Sequence, residues 1–289
     1  MHHWDDMRIF LAVARAQRLA TAARLLGVDP TTVSRRLARL SEAVGTPLFD
    51  TVAGERQLSE AGQALLLHAE AIEGSFLAAT GGPSEPPGLS GHVRLSVAEG
   101  LATHVLAPAI PAFNRAFPGI RLDLITASGF FSPSKREADI AIMLARPRSP
   151  QLRATELVRY RLRLYASADY CARRGDPGSL AALGQHNLVS YVPEHVHAPE
   201  LDYIAEIGAD LAPRLRSTSI NVQRGIIAAG GGIGILPDFM AAGDLQLRPV
   251  LPDQAVWRTF WLVTHQDSHA TPRIQAVSEW LTAVATPLG

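Results

Sequence analysis

The clearest pattern of apolar and polar positions lies in residues 19–45, where it predicts two short helices joined by a tight turn. The first helix, residues 21–26, combines paired alanines with paired leucines, which suits close contact between helices. Gly27 follows it, and glycine favours the left-handed conformation that ends many helices. Asp29 then suits the N-cap of a second helix, with Pro30 at its first helical position.

The second helix, residues 30–44, has two chemically different faces. One face repeats apolar residues at spacings of three and four positions: Val33, Leu37, Leu40 and Val44. The other face carries hydroxyls and guanidinium groups: Thr31, Thr32, Ser34, Arg35, Arg36 and Arg39. Such groups can address base edges and phosphates in the major groove, so the pattern predicts a DNA-reading helix-turn-helix. The alternative is an ordinary helical hairpin with a solvated arginine face.

Sequence on both sides of this hairpin extends it to a winged unit over residues 1–58. Apolar residues between positions 7 and 14 have helical spacing, and Asp5 or Asp6 is a suitable cap for that helix. Proline, glycine and mixed polarity in residues 46–58 predict a short hairpin, from which Arg56 would reach the DNA backbone.

A long helix is predicted at residues 59–80. Its apolar positions form one stripe: Ala61, Leu65, His68, Ile72 and Phe76. A helix with a single stripe must cover it, and an antiparallel copy of the same helix is the predicted partner. Residues 81–91 are rich in Gly, Pro and Ser and predict a flexible linker before a second domain, residues 92–289.

In the second domain, segments with strand and helix patterns alternate. Strands are predicted at 92–98, 120–126, 139–144, 161–166, 187–191, 233–236 and 260–264, and helices at 103–117, 220–229 and 271–285. This alternation is typical of parallel α/β architecture.

Composition limits the possible functions. The 27 basic and 27 acidic residues cancel, so affinity for DNA has to come from the local arrangement of arginines and from doubling in a dimer. Cys171 is the only cysteine, which excludes an intrachain disulfide and a Cys-based zinc site. With neither a signal-peptide pattern nor an apolar run of about eighteen residues, we expect a cytoplasmic protein.

Five blocks resemble the N-terminal region of LysR-type transcriptional regulators in order and spacing: MRIF (7–10), ATAARLL (20–26), VSRRLARL (33–40), GTPLF (45–49) and LSEAG (58–62). That family usually has arginine at the position of Thr51, so one phosphate contact is expected to be lost or taken over by Arg56. The resemblance continues more loosely to the C-terminus, most strongly in AAGGGIGILP at 228–237.

The resemblance implies a fold and a mode of action. It implies a dimerising linker helix and a periplasmic-binding-protein-like effector domain with two subdomains, about residues 92–160 with 266–289, and about 161–265, joined by two crossings. It also implies double-stranded DNA and a small-molecule effector as partners. Tetramers that bend a dyad-symmetric promoter are further implied, with RNA polymerase as an additional partner.

An effector cleft is predicted between the subdomains, because ligands of open α/β sheets bind beyond the carboxyl ends of strands. The candidate residues are Glu99, Gly100, Leu101, Thr103, Ala127, Ser128, Gly129, Ala145, Arg146, Tyr191, Thr218 and Ser219. Many relatives have a hydroxyl residue near Gly100. Here Glu99 is expected to repel a carboxylate effector unless Arg146 neutralises it. The alternative is that Glu99 is an exposed acid at a helix N-terminus.

Other candidate chemistry is weaker. The glycines at 230–234 lie between a helix and a strand and lack the sixth-position glycine, which indicates a turn and not a dinucleotide site. Glu194, His195, His197 and Glu200 form a possible metal site, but nearby prolines indicate a loop.

The sequence therefore predicts a non-enzymatic regulator without metal or cofactor, since no catalytic motif is found. Two alternatives remain. One is a solute-binding or structural module with a vestigial helix-turn-helix. The other is an enzyme that assembles a hydrolytic site from distant residues of the α/β half.

Overall fold

A computed structural model describes residues 4–16, 18–52, 55–79, 89–126, 138–196, 198–208, 211–266 and 268–289. The chain divides into two compact units, Met1–Gly91 and His92–Gly289. Among the described residues, no helix is both long and apolar enough to cross a membrane.

The N-terminal unit is a winged helix-turn-helix followed by a long helix. Its elements are α1 (Trp4–Ala16), α2 (Leu19–Leu26), α3 (Pro30–Val44), β1 (Phe49–Val52), β2 (Glu55–Leu58) and α4 (Glu60–Ala79). β1 and β2 pair antiparallel as the wing. One core joins these elements, with Phe10 of α1 fully buried and its ring 5.6 Å from that of Phe49.

Local signals in the helix-turn-helix act as predicted. Gly27 ends α2 with φ 65°, and Asp29 accepts a hydrogen bond from the Thr31 N–H at 2.8 Å, so it is the N-cap of α3.

Two predictions for helices of this unit were wrong, and the first concerns the start of α1. Helix α1 begins at Trp4, so Asp5 and Asp6 lie in its first turn and do not cap it.

The second error is the last apolar position of α3. Val33, Leu37 and Leu40 are buried, but Val44 is 42% exposed. The core of the unit ends near Leu40, one turn before the Gly45 cap, so Val44 has little to pack against.

Helix α4 divides its apolar residues between two environments. Ser59 caps the helix by accepting the Gly62 N–H at 3.0 Å. Ala69 is fully buried in the core of the unit and Leu65 is partly buried against it. His68 and Ile72, predicted to share a stripe with Leu65, are instead exposed. The prediction that a partner helix covers this stripe stays a prediction, and the side chain of Phe76 lies outside the described residues.

The C-terminal unit is built on one mixed sheet that contains nine strands within the described ranges. They are β3 (Gly91–Ser96), β4 (Ile120–Ile125), β5 (Ile140–Met143), β6 (Leu152–Ser167), β7 (Leu188–Ser190), β8 (Leu215–Arg216), β9 (Ile233–Pro237), β10 (Leu247–Pro249) and β11 (Ala255–His265). The order is β4-β3-β5-β11-β6-β9-β7-β8, and β10 also pairs with β6.

Helices cover this sheet. They are α5 (Glu99–Leu101), continued by a π-helical turn (Ala102–Leu106) into α6 (Ala107–Ala116), then α7 (Ala168–Arg174), α8 (Tyr203–Ile207), α9 (Ile220–Ala228), α10 (Asp238–Ala241) and α11 (Pro272–Ala285). Short 3₁₀ helices span Ala181–Gln185, Pro193–His195, Pro199–Leu201 and Thr286–Leu288. The helix predicted from residue 103 thus begins earlier, at Glu99.

The prediction of a parallel sheet was wrong at the centre of the unit. β6 and β11 are long antiparallel partners, from Ala255 opposite Arg163 to His265 opposite Leu152. β5 and β9 are each antiparallel to this pair. Parallel pairings include β3 with β5 on one side, and β7 with β8 and β9 on the other. The two subdomains and two crossings that the family resemblance implies stay a prediction.

Candidate DNA-binding face and effector cleft

The outward face of α3, defined here as Thr31, Ser34 and Arg35, is exposed. The Thr31 hydroxyl donates to Asp29 at 2.5 Å, which fixes it at the start of the helix. Arg35 makes no hydrogen bond or ion pair with another described residue, so its guanidinium is available to a ligand. Thr32, also a candidate, is half-buried.

Arg36 and Arg39, predicted on the same surface, are engaged by α1. Arg36 forms an ion pair with Asp5. Arg39 donates to Asp6 from Nε at 2.8 Å and from Nη2 at 2.5 Å, and Asp6 is only 4% exposed. Arg39 is exposed on the outer side of α3, as predicted, and Arg36 is half-buried, but both are paired with carboxylates. The two first-turn carboxylates of α1 attract them, because charge-assisted pairs with arginine are strong and directional.

The wing positions the remaining DNA candidate. Arg56 is half-buried in β2 and pairs in register with Thr51 of β1. Residues 53–54, at the turn between the strands, lie outside the described residues, as does the side chain of Thr51.

A cavity of about 90 Å³, called the effector cleft below, lies within the C-terminal unit. Its walls are Ala98, Glu99, Gly100, Leu101, Thr126, Leu144, Tyr160, Tyr191, His195, Leu201, Tyr203, Thr218, Ile220, Pro237, Phe239, Met240 and Phe260. Five predicted residues are among them: Glu99, Gly100, Leu101, Tyr191 and Thr218. Ala127, Ser128 and Gly129 fall outside the described residues.

Four predicted residues are not wall residues of this cleft. Ala145 is exposed, and the Arg146 guanidinium lies over the Trp261 ring, 5.5 Å from its centroid. Thr103 accepts a hydrogen bond from the Asn221 side-chain amide at 2.9 Å. The Ser219 hydroxyl donates a hydrogen bond to Glu99, which is a wall residue.

Glu99 reaches from the start of α5 to the N-terminus of α9. Its carboxylate accepts the Ser219 hydroxyl at 2.8 Å and the Ile220 N–H at 3.2 Å. A helix N-terminus carries partial positive charge, so α9 stabilises this carboxylate in the place where an anionic ligand would bind. Neither the exposed-acid alternative nor neutralisation by Arg146 describes Glu99, because it is half-buried and Arg146 packs on Trp261.

Aromatic rings form much of the remaining wall. Tyr160 stacks on Phe260 at 4.2 Å between centroids and meets Phe239 edge-on at 5.7 Å. Tyr191 and Tyr203 contact edge-on at 6.2 Å. Burial raises the pKa of all three tyrosines, so their hydroxyls stay protonated at neutral pH. The sequence did not predict Tyr160, Tyr203, Phe239 or Phe260, since they sit in strands and short helices without a motif.

Close packing holds α5 against α9 and α10 at the cleft. A Cβ added to Gly100 would lie 2.6 Å from Met240 Sδ and 3.3 Å from Ile220 Cγ2, so only glycine fits without displacement. The imidazole of His104 lies 3.2 Å from the Asn221 side-chain oxygen. Burial, with a contribution from the Arg224 charge, lowers the pKa of His104.

The other candidate motifs have structural roles. The glycines at 230–232 form the turn from α9 to β9, with Gly230 at φ 79°, as predicted. His195 lines the effector cleft, and His197 lies outside the described residues. Among the residues that the structure describes, no three His, Cys, Asp or Glu side chains are grouped to hold a metal ion.

Two family models match this chain. Residues 4–63 match the "bacterial regulatory helix-turn-helix protein, lysR family" and residues 87–286 match the "LysR substrate binding domain". A Mau operon transcriptional activator from Paracoccus denitrificans is 29% identical over 282 residues, covering 96% of this chain and 95% of that protein. The regulator CrgA from Neisseria meningitidis is 27% identical over 294 residues, with 96% and 95% coverage.

Solved structures agree with these matches. The structure of CrgA, a LysR-type transcriptional regulator, aligns with a TM-score of 0.59 at 25% identity and covers 99% of this chain and 98% of CrgA. Full-length AphB from Vibrio cholerae, at 22% identity and a TM-score of 0.55, shares the fold and covers 97% of this chain and 98% of AphB. The chain therefore belongs to the LysR family, and it is a DNA-binding transcriptional regulator with a C-terminal effector-binding domain.

Proposed function

We propose that the outward face of α3 reads the major groove, with Arg35 as its main contact to base edges or phosphates. The observation that carries this proposal is that Arg35 is exposed on α3 without a partner among the described residues. Thr31 and Ser34 add hydroxyls beside it, and Thr32 and Arg56 hold the flanking backbone. Arg36 and Arg39 join them only where a phosphate replaces an aspartate partner.

The protein acts as a dimer through α4 in this proposal. Ile72 is 45% exposed on α4, and an apolar side chain at that position is stabilised when a second helix covers it. A two-fold dimer presents two α3 helices to half-sites about one helical turn apart, which predicts a dyad-symmetric site. In the proposed mode of action, two dimers associate into a tetramer that bends the DNA and contacts RNA polymerase.

The effector cleft is the proposed sensor. A small molecule bound there shifts the regulator between states only if its affinity for those states differs. Residues of α5, α9 and α10 line the cleft together, so a ligand contacts elements whose relative position it can change. We assign the cleft to sensing and not to catalysis, and we place the protein in the cytoplasm, where its DNA target lies.

A quantitative footprint on DNA flanking the gene tests the DNA half of the proposal. The purified full chain is titrated at about 150 mM salt, which suppresses non-specific binding. We expect a discrete protected region with dyad symmetry, for which Arg35→Ala has a clearly weaker affinity than wild type. Arg148→Ala is the matched control, because it removes the same charge from an exposed loop of the other unit. Uniform protection, or equal loss in both variants, would overturn the proposal.

A further inference from the structure

The wall of the effector cleft combines one carboxylate with five aromatic rings. Glu99 supplies the carboxylate, and the rings belong to Tyr160, Tyr191, Tyr203, Phe239 and Phe260. Within the described part of the chain, the residues that line the cleft include neither arginine nor lysine. Among the described wall residues, His195 alone carries an ionisable nitrogen, and its side chain is exposed.

An anionic ligand fits this wall poorly. The N-terminus of α9 offers the cleft a hydroxyl and a backbone N–H, but Glu99 already accepts both, at 2.8 Å from Ser219 and 3.2 Å from Ile220. A second carboxylate would have to displace Glu99 or lie beside it against like-charge repulsion, which is strong where water is excluded.

Two arginines lie behind the wall, and neither compensates for this: Arg224 donates to the Met240 carbonyl at 2.8 Å and forms an ion pair with Asp244. Arg258 lies over the Tyr203 ring at 5.6 Å, forms an ion pair with Glu206 and donates to the Glu200 carbonyl at 2.8 Å. Its charge is therefore balanced within the protein and does not belong to the cleft wall.

A cationic ligand is favoured by the same groups. An ionised carboxylate has about four acceptor positions, so Glu99 can accept further bonds besides the two from α9. Tyr191 lines the same cleft as Glu99. Burial, with a smaller contribution from the Glu99 charge, raises the pKa of the Tyr191 phenol. Aromatic faces attract ammonium groups, most strongly in a desolvated site.

We propose that the effector cleft selects a small organic cation, an amine with an apolar body, whose ammonium group binds Glu99 beside Tyr191. The apolar body packs on Tyr160, Phe239 and Phe260. A cleft of about 90 Å³ suits a small ligand. This inference rests on the proposed role of the cleft as the sensor and adds the chemical class of its ligand.

Calorimetric titration of the full chain with three probes of nearly equal shape tests the inference: butylamine, 1-butanol and butyrate at pH 7.5. We expect butylammonium to bind at least about tenfold more tightly than butanol, and butyrate to bind most weakly. Glu99→Gln should remove the preference for the amine over the alcohol. Glu194→Gln is the control, since Glu194 is an exposed acid next to His195 that does not line the cleft.

A second variant guards against a folding defect in Glu99→Gln. Tyr191→Leu keeps the carboxylate but removes the neighbouring ring, and should weaken butylammonium severalfold more than butanol. The inference is overturned if butyrate binds as tightly as butylamine or if none of the probes binds. It is also overturned if the preference for the amine survives in Glu99→Gln. The footprint without ligand separates the two proposals, because a lost footprint refutes the DNA-binding face and leaves the ligand ranking to be judged alone.

Discussion

Asp6 and Arg39 join the first helix to the DNA-reading helix through a two-pronged ion pair. Both nitrogens of the Arg39 fork lie within 2.8 Å of the Asp6 carboxylate, which is almost fully buried. Arg36 pairs with the neighbouring Asp5 one turn along α3. These contacts fix the orientation of α3 and neutralise two of the arginines that its sequence offers to DNA.

We predict that Asp6→Asn destabilises the N-terminal unit by about 1–2 kcal/mol, because the buried Asp6 loses a charge-assisted pair, while the exposure of Arg39 limits the cost. Hydrogen exchange of α1 and α3 peptides in the full chain measures the change. Asp5→Asn is the matched comparison and should cost less, under about 1 kcal/mol, because Asp5 is much more exposed. Equal protection in Asp6→Asn and wild type would contradict the structural role of the pair.

Gly100 and Met240 should show energetic coupling. Gly100→Ser places a Cβ 2.6 Å from Met240 Sδ, and we expect a loss of about 1–2 kcal/mol, since the flexible methionine can partly yield. Combining it with Met240→Ala should cost about 1 kcal/mol less than the sum of the single changes. Urea unfolding of the four proteins gives this cycle, and strict additivity would show that the two residues do not press on each other.

Ile72→Asp should dissociate the proposed dimer, because a carboxylate buried between two α4 helices would be left without a partner. Sedimentation at micromolar concentration should show monomers, and the footprint should weaken with them. Leu245→Asp introduces the same charge at a leucine that is 99% exposed in the other unit, and should leave the assembly unchanged. A dimer that survives Ile72→Asp would place the interface elsewhere.

Acid should weaken the C-terminal unit partly through His104. Its folded-state pKa lies below the usual value of 6.5, because burial disfavours the charged imidazole. The unfolded chain therefore binds more protons as pH falls, so stability is present above about pH 6.5 and is lost below it. Between pH 7.5 and 5.5 the melting temperature should fall less in His104→Gln than in wild type. His68→Gln, an exposed position on α4, is the control.

The helix-turn-helix was predictable because its signals are local. Gly27 and Asp29 act within a few residues of their positions, through a left-handed φ and a hydrogen bond to the next turn. The ion pair of Arg36 with Asp5 was not predictable in the same way. Asp5 is 31 residues away from Arg36, and only the packing of α1 on α3 brings the two together.

The sheet and the cleft show a similar limit. Alternating elements predicted the α/β class, but strand direction depends on pairings such as Trp261 with Met143, which periodicity does not encode. Glu99 was identified as a candidate from its place after the first strand. The aromatic wall was missed, because Tyr160 and Phe260 meet only through the register of β6 and β11.

The central claim is that the charge available on α3 determines DNA binding. Titration of the protected DNA site at several salt concentrations, with Arg35→Ala and Asp5→Asn, tests it most directly. Arg35→Ala should weaken binding and reduce the salt slope by about one, because one phosphate contact contributes about 0.9 to that slope. Asp5→Asn should do the opposite, since it leaves Arg36 only its longer contact with Asp6, at 3.8 Å. Unchanged affinity and slope in both variants would contradict the assignment of α3 as the DNA-binding face.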